Sequence, residues 1–260
     1  MSDKRFGKFG MLELPLGVQS VIDHPVQAYV KNPLGLRGAM NYACFNFTGA
    51  NYADVANLSG LDPSAGYTVF CWLKPGETTG TATRAAWMMR TDANNSAHMA
   101  YPASTFSTSS YSYTINGSSD HKSSSVNVPA VWTPVALSHV GATITFRVGA
   151  AKSATTGGDV SGRVGDTTPL RLGGYLFSNN YLGLAANYIF FSGVAITDQQ
   201  FADLAAWKNP IGMTGLVAWY ICPKVDGSIV DSSGNGNTPT PTGDSLYSAT
   251  GGPGLPWWPV

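Results

Sequence analysis

The chain has 260 residues, long for an average domain but ordinary for one large β sandwich, and 43% of it is hydrophobic, enough for a sizeable core. Charged residues make up only 12% and cancel, 15 basic against 15 acidic, so no broad basic field exists to attract phosphate backbones or anionic lipid. Nucleic acid and membrane surfaces are therefore not expected partners, and no apolar run reaches membrane-spanning length.

In chain order, the opening MSDKRFGKFGMLELPLG has charges but neither an uninterrupted apolar stretch nor a small-residue cleavage site, so synthesis without a secretory signal, in a reducing cytoplasm, is expected. Residues 1–38 carry Pro15, Pro25 and Pro33 among short apolar pairs such as Val21-Ile22 and keep no sustained period, which predicts an extended arm or a pair of edge strands. Beyond it, 30 glycines and 16 prolines punctuate short alternating runs, the pattern of an all-β chain with many turns. Strands are predicted at 42–48, 67–73, 85–90, 111–115, 132–139, 143–149, 169–173, 184–191 and 216–220. In Thr143-Ile144-Thr145-Phe146-Arg147-Val148 every second side chain can face a core while its neighbours face water. One helix is predicted over 197–208, TDQQFADLAAWK. Thr197 and Gln200 make a capping-box pair, Asp198 suits the first turn, Phe201, Leu204, Ala205 and Trp207 give helical apolar spacing, and Asn209-Pro210 ends it. Cys44, Cys71 and Cys222 fall in strand-like runs without C-x-x-C spacing and are expected as buried free thiols.

The stretch 41–77, NYACFNFTGANYADVANLSGLDPSAGYTVFCWLKPGE, resembles the opening of the laminin-G-like, concanavalin-like jelly-roll family, where a first strand passes through a G-x-x-x-x-x-V edge into T-V-x-x-W-L-K-P. VWTPVALSHVGATITFRVG resembles that family's W-x-x-V-A strand and hairpin, and PLRLGG its L-x-L-G-G strand. NYIFFSGVAIT followed by the helix resembles its closing signature, so the likeness runs over about 40–210. It implies a two-sheet antiparallel jelly-roll sandwich at 39–240, with the one helix plugging an end. The segment GLVAWYICPKVDGSIVDSSGNGNTPTPTG resembles the D-G-x-x-x-D-x-S-G-x-G-N unit that flanks such domains in bacterial and phage proteins, and 241–260 is a Pro/Gly/Trp-rich tail. Trp257-Trp258 in that tail either docks on a partner or folds back on its own sandwich, since large apolar surface in water usually marks an interface.

Catalysis has little to work with. Glycosidases of this fold need paired carboxylates, usually in E-x-D-x-x-E, and the only glutamates are Glu13 in the arm and Glu77 in a turn. No G-x-S-x-G elbow is present, and His24, His98, His121 and His139 have no recognisable partners; His139, lone on a half-buried strand, reads as structural. Calcium is the cofactor the resemblance implies, held by loop carboxylates at one rim, with Asp92 and Asn94 in RTDANN and Asp226, Asp231 and Asn235 in VDGSIVDSSGNGN as ligands. Such Asx-rich turns also arise for conformational reasons alone, and the family's usual Asp before the last core strand is replaced by Ala185-Ala186-Asn187. Tyr101, Phe106, Tyr111 and Tyr113, interleaved with serines, suit sugar stacking, although Tyr-Ser-Tyr-Thr-Ile before Asn116-Gly117 equally spells an ordinary hairpin strand.

The expectation is a non-enzymatic virion structural protein resembling those of tailed bacteriophages, as a capsid decoration or a head or tail fibre module. It would form homo-oligomers or dock on other capsid or tail proteins, and its exposed jelly roll would adhere to host surface glycans. The alternatives are a free carbohydrate-binding lectin and a carbohydrate-active enzyme.

Overall fold

The computed structural model describes residues 43–76, 84–90, 96–101, 110–115, 120–127, 129–156, 169–174, 180–249 and 252–253, all within a compact unit spanning Asn41–Val260. Its strands are β1 (Cys44–Thr48), β2 (Tyr52–Val55), β3 (Tyr67–Pro75), β4 (Arg84–Arg90), β5 (Ser96–Tyr101), β6 (Ser110–Ile115), β7 (Asp120–Asn127), β8 (Thr133–Val140), β9 (Thr143–Val148), β10 (Ala151–Thr156), β11 (Leu170–Leu172), β12 (Leu182–Ser192), β13 (Leu216–Tyr220), β14 (Thr240–Thr242) and β15 (Tyr247–Ser248). A single α-helix, α1 (Asp198–Ala205), accompanies them among the described residues.

The strands form two antiparallel sheets, a jelly-roll sandwich. One sheet runs β10-β9-β8-β3-β12-β1-β15 with β13 also paired to β12, and the other runs β14-β2-β11-β4-β5-β6-β7. β3 occupies one edge of β12 along its length, so β1 and β13 lie end to end on the other, opposite 182–185 and 188–191. The facing sides close over one core that includes Phe45, Phe47, Val69, Trp87, Leu172 and Phe190. Aromatic edges set its geometry: Phe45 meets Tyr188 at 5.5 Å and 76°, and Phe47 meets Tyr181 at 5.6 Å and 90°. Tyr188 also donates its hydroxyl to the Ala86 carbonyl at 3.0 Å, fastening one sheet to the other through a buried bond.

Each strand expected from alternation is present, with ends shifted by a residue or two. The strands that the sequence did not signal are β2, β5, β7, β10, β14 and β15, and all but β5 sit at or next to a sheet edge. β14, Thr-Pro-Thr, is an edge strand because Pro241 has no N–H for a further ladder, and its three side chains are exposed. β14 and β15 each add a strand to one sheet, so the sandwich continues through Ser248 and the boundary expected at 240 is corrected. Asn51 makes this closure: it accepts from the Thr48 N–H at 2.9 Å and donates to the carbonyls of Asn46, at 2.9 Å, and of Asp244 and Ser245, both at 3.4 Å.

β3 is buried on both faces over Tyr67–Cys71 because α1 covers the outer side of its sheet. Phe201 and Leu204 on the helix pack with Phe70, Ala136, Ile189, Phe191 and Ile196. The helix starts where its capping box predicts, Thr197 Oγ1 accepting from Gln200 N at 3.1 Å and Gln200 Oε1 from Thr197 N at 2.8 Å. None of the three cysteines is disulfide-bonded, Cys44 and Cys71 are buried and Cys222 half-buried, and burial pushes Cys44 up to about 11 and Cys222 up to about 12.

Candidate functional site

Directly opposed residues of neighbouring strands share a face, so the register writes out the rows on the outer side of the eight-stranded sheet. One row runs Lys152, Arg147, Ala136, Phe70, and the next sets Pro134 beside Trp72. Helix α1 crosses the first row, Phe201 meeting Phe70 edge to face at 5.7 Å and 68°. Between the helix and β8–β10 a groove of about 560 Å³ remains, lined by Pro134, Arg147, Lys152, Asp198, Phe201 and Ala205 among others. That volume is within the range of small-ligand sites.

The floor of the groove is charged. Asp198 Oδ1 accepts from Arg147 Nε at 3.1 Å, Arg147 Nη2 at 2.9 Å and Lys152 Nζ at 2.8 Å, and Oδ2 accepts from Lys152 Nζ at 3.0 Å. Arg147 is 7% exposed while Asp198 is 70% exposed, so the carboxylate reaches from solvent onto a covered guanidinium. The bonds from Lys152 and then Arg147 hold the Asp198 carboxyl below the usual carboxylate range. Arg147 Nη1 is buried with no acceptor. Simple alternation puts Arg147 in water, and the structure corrects this: α1 lies over it, a tertiary fact that a strand pattern does not carry.

At the far end of the helix, Trp207 stacks on Trp72 with ring centroids 6.5 Å apart and planes 14° from parallel. The chain reverses there through a Schellman turn, Lys208 N donating to Asp203 O at 2.9 Å and Trp207 N to Leu204 O at 3.0 Å. Trp207 therefore occupies the left-handed position after the C-cap, φ 61°, where glycine is the usual residue. Among the described residues the other non-glycine at positive φ, Asn187 (φ 57°), sits in the β12 bulge and accepts from Trp219 Nε1 at 2.7 Å. Trp72, Trp207 and Trp219 are all half-buried, and the Nε1 atoms of Trp72 and Trp207 are buried without a hydrogen-bond partner. In the sequence the only trace of this shelf is a tryptophan where the end of a helix calls for glycine.

The residues picked from the sequence fall elsewhere. Tyr111 is fully buried in the sandwich core, so its assignment to a glycan surface is corrected: its ring faces inward from β6. Phe106 lies outside the described residues, and for Tyr101 and Tyr113 only the backbone, in β5 and β6, is described. Asp92, Asn94, Glu13, Glu77, Trp257 and Trp258 also lie outside them. His139 is buried, edge-on to Tyr67 at 6.3 Å.

Asp226, Asp231 and Asn235 are each engaged in shaping their own loops. Asp231 Oδ1 accepts from Trp219 N (3.0 Å), Ser233 N (3.0 Å) and Ser233 Oγ (2.7 Å), and Oδ2 accepts from Asn237 N (2.8 Å). Asn237 then donates to the Ser59 and Val217 carbonyls, each at 3.0 Å, tying the segment to β13 and to the loop before β3. Asn235 donates to Leu216 O and Val217 O, and Asp226 accepts from Ser228 N and Oγ. Of the two readings of D-G-x-x-x-D-x-S-G-x-G-N, this geometry carries the conformational one. Among the described residues no three His, Cys, Asp or Glu side chains converge.

A smaller cavity of about 330 Å³ lies on the other sheet, beside Asp54, Met88 and Arg171. There Arg171 pairs bidentately with its cross-strand partner Asp54, at 2.7 and 2.8 Å, and lies 3.7 Å above the Tyr52 ring.

No protein-family model matches the chain, and no curated protein matches it in sequence. Solved structures do. The heptameric SAP-like pentraxin of Limulus polyphemus superposes with a TM-score of 0.51 at 14% identity, over 76% of this chain and 94% of the pentraxin. The full extracellular region of zebrafish Gpr126/Adgrg6 gives 0.52 at 13% identity, over 83% of this chain and 27% of that one. Tailspike protein 2 of a bacteriophage of Escherichia coli O157:H7 gives 0.47 at 11% identity, over 70% of this chain and 26% of the tailspike. The chain thus spans about a quarter of the tailspike and of the receptor region, and nearly all of the pentraxin. At these identities the likeness is one of fold alone, the two-sheet antiparallel jelly-roll sandwich.

Proposed function

We propose that the chain is a non-catalytic jelly-roll adhesion module that binds glycan in the groove beside α1, with the Trp72–Trp207 stack as its shelf. The observation that carries this reading is Trp207 itself. A backbone position that favours glycine is filled by the largest side chain, whose ring stacks on Trp72, the cross-strand neighbour of the groove residue Pro134. Sugar rings take that combination, apolar C–H faces on an aromatic plane and hydroxyls on charged and polar neighbours.

Titration of the protein with soluble neutral and acidic polysaccharides tests the reading, with Trp207→Gly as the informative variant because glycine suits that turn and leaves the fold intact. Binding by the wild type that weakens about tenfold or more in Trp207→Gly, the scale of one lost aromatic contact, supports it. Absence of binding to every polysaccharide, or binding indifferent to Trp207, overturns it.

In the wider setting we propose, the module is a virion structural protein of a tailed phage, a capsid decoration or fibre element. Supporting this are the resemblance of its 40–210 region to the laminin-G-like family, whose modules occur in tailed-phage virion surface proteins, and the D-G-x-x-x-D-x-S-G-x-G-N unit that follows. In this setting residues 1–38 and the tail with Trp257 and Trp258 dock on neighbouring copies or on other capsid or tail proteins. Sedimentation of the full chain against chains lacking 1–38 or 250–260 is the check: self-association lost on truncation fits a particle subunit, and a monomer indifferent to both fits a free lectin.

A further inference from the structure

Lys152 and Arg147 are direct cross-strand partners, two like charges placed where repulsion is greatest, and a single carboxylate serves both. In a chain whose charges cancel overall, this spot holds two cations to one anion. The shortfall is visible in the bonding. Asp198 Oδ1 is shared among three N–H donors, and Arg147 Nη1, on a side chain 7% exposed, has no acceptor at all. A buried guanidinium with one end unmatched raises the local potential, and that potential opens into the groove that Arg147 and Lys152 line. Lys152, about half exposed, is the cation a ligand can reach, and the Asp198 carboxylate beside it is the competing anion.

We infer that the groove selects glycans bearing carboxylate groups, with the ligand's anion seated on Lys152 and drawn by the under-compensated Arg147. The inference rests on the glycan reading of this groove and names the ligand class within it. Asp198 then acts as an internal placeholder. It holds the two cations together when the groove is empty and gives up its Lys152 bonds to the ligand, a motion open to a side chain that is 70% exposed.

This assigns opposite signs to two variants. Lys152→Met removes the reachable cation and weakens binding of polygalacturonate about tenfold, the worth of a charge-assisted hydrogen bond. Asp198→Asn removes the competitor and strengthens it severalfold, while Thr197 and Gln200 keep the helix cap. Calorimetric titration of both variants and the wild type with polygalacturonate and with neutral dextran, at low and high salt, reads the result, and a screened charge contact makes only the polygalacturonate arm salt-dependent. Tighter binding of dextran sulfate than of polygalacturonate would show an anion site without carboxylate preference and overturn the assignment of class. Equal affinity for polygalacturonate and dextran, or an Asp198→Asn that weakens polygalacturonate, overturns the inference and leaves the glycan reading standing if Trp207→Gly still abolishes dextran binding. Absence of binding to all three polymers removes both.

Discussion

Trp207 and Trp72 stack face to face, 14° from parallel, although one stands on a strand and the other in a left-handed turn two residues beyond a helix. The pair joins the end of α1 to the sheet it covers, beside the groove residue Pro134. Because backbone preference and side-chain packing oppose each other at Trp207, mutation separates them. Trp207→Gly is expected to change unfolding free energy by less than about 1 kcal/mol, relief of the turn offsetting the lost stack. Trp72→Ala, on a strand that gains nothing, is expected to cost about 3 kcal/mol. Urea unfolding of both single variants and the double variant checks this, and the cycle is expected to return a coupling of about 1 kcal/mol.

Gly173 has φ 71°, and a Cβ there would collide with the ring of Phe47 in the core. Gly173→Ala combines backbone strain with overpacking, and is expected to destabilise by about 4 kcal/mol or to prevent folding. Alanine at Gly49, also at positive φ but with open space around its position, incurs only the backbone term and is expected to cost about 1 kcal/mol. Thermal melting of the two variants side by side distinguishes the mechanisms.

Asp231 accepts four hydrogen bonds from the segment that follows it and from β13. Asp231→Ala leaves the Trp219 and Asn237 amides without their acceptor and is expected to cost about 3 kcal/mol, with those amides exchanging faster in hydrogen-exchange spectra. Since both oxygens face N–H or O–H donors, calcium is expected to leave the melting temperature unchanged. A rise with added calcium would mean the loop rearranges to bind it.

Four aspartates are held below the usual carboxylate value of 3.8: Asp62 by Ser64, Asp198 by Lys152, Asp203 by Lys208 and Asp226 by Ser228. A carboxylate with a lowered folded value stabilises the native state at every pH above the unfolded value, and that contribution is lost as pH falls through the folded one. The melting temperature is therefore expected to stay level from neutral pH to about 4 and to drop below it. Asp198→Asn, which has no proton to bind, is expected to show a shallower acid limb in melts followed by circular dichroism.

The two-sheet architecture was readable because several strands carry their own alternation, as in β9, and because the capping box of Thr197 and Gln200 is a local device that folds as it reads. The short edge strands had no such signal: β14, Thr-Pro-Thr, is a strand only because β2 offers it a partner. L-G-G was legible as a pattern, but its reason, the Phe47 ring against Gly173, joins residues distant in the chain. Tyr111 looked like surface because aromatic and hydroxyl residues alternate around it, and that alternation fixes which residues share a face without saying which face is covered.

The amino-acid order by itself thus determined the strands, the helix and the antiparallel class, since those follow from periodicities of 2 and 3.6 and from local caps. Tertiary structure alone decided the groove. Arg147, Lys152, Asp198, Trp72 and Trp207 come from three strands and both ends of a helix, and only the docking of α1 over β3 and β8 makes a covered cation and a stacked indole pair into one surface. No local pattern encodes that, because burial and charge compensation belong to the assembled layers rather than to any one segment.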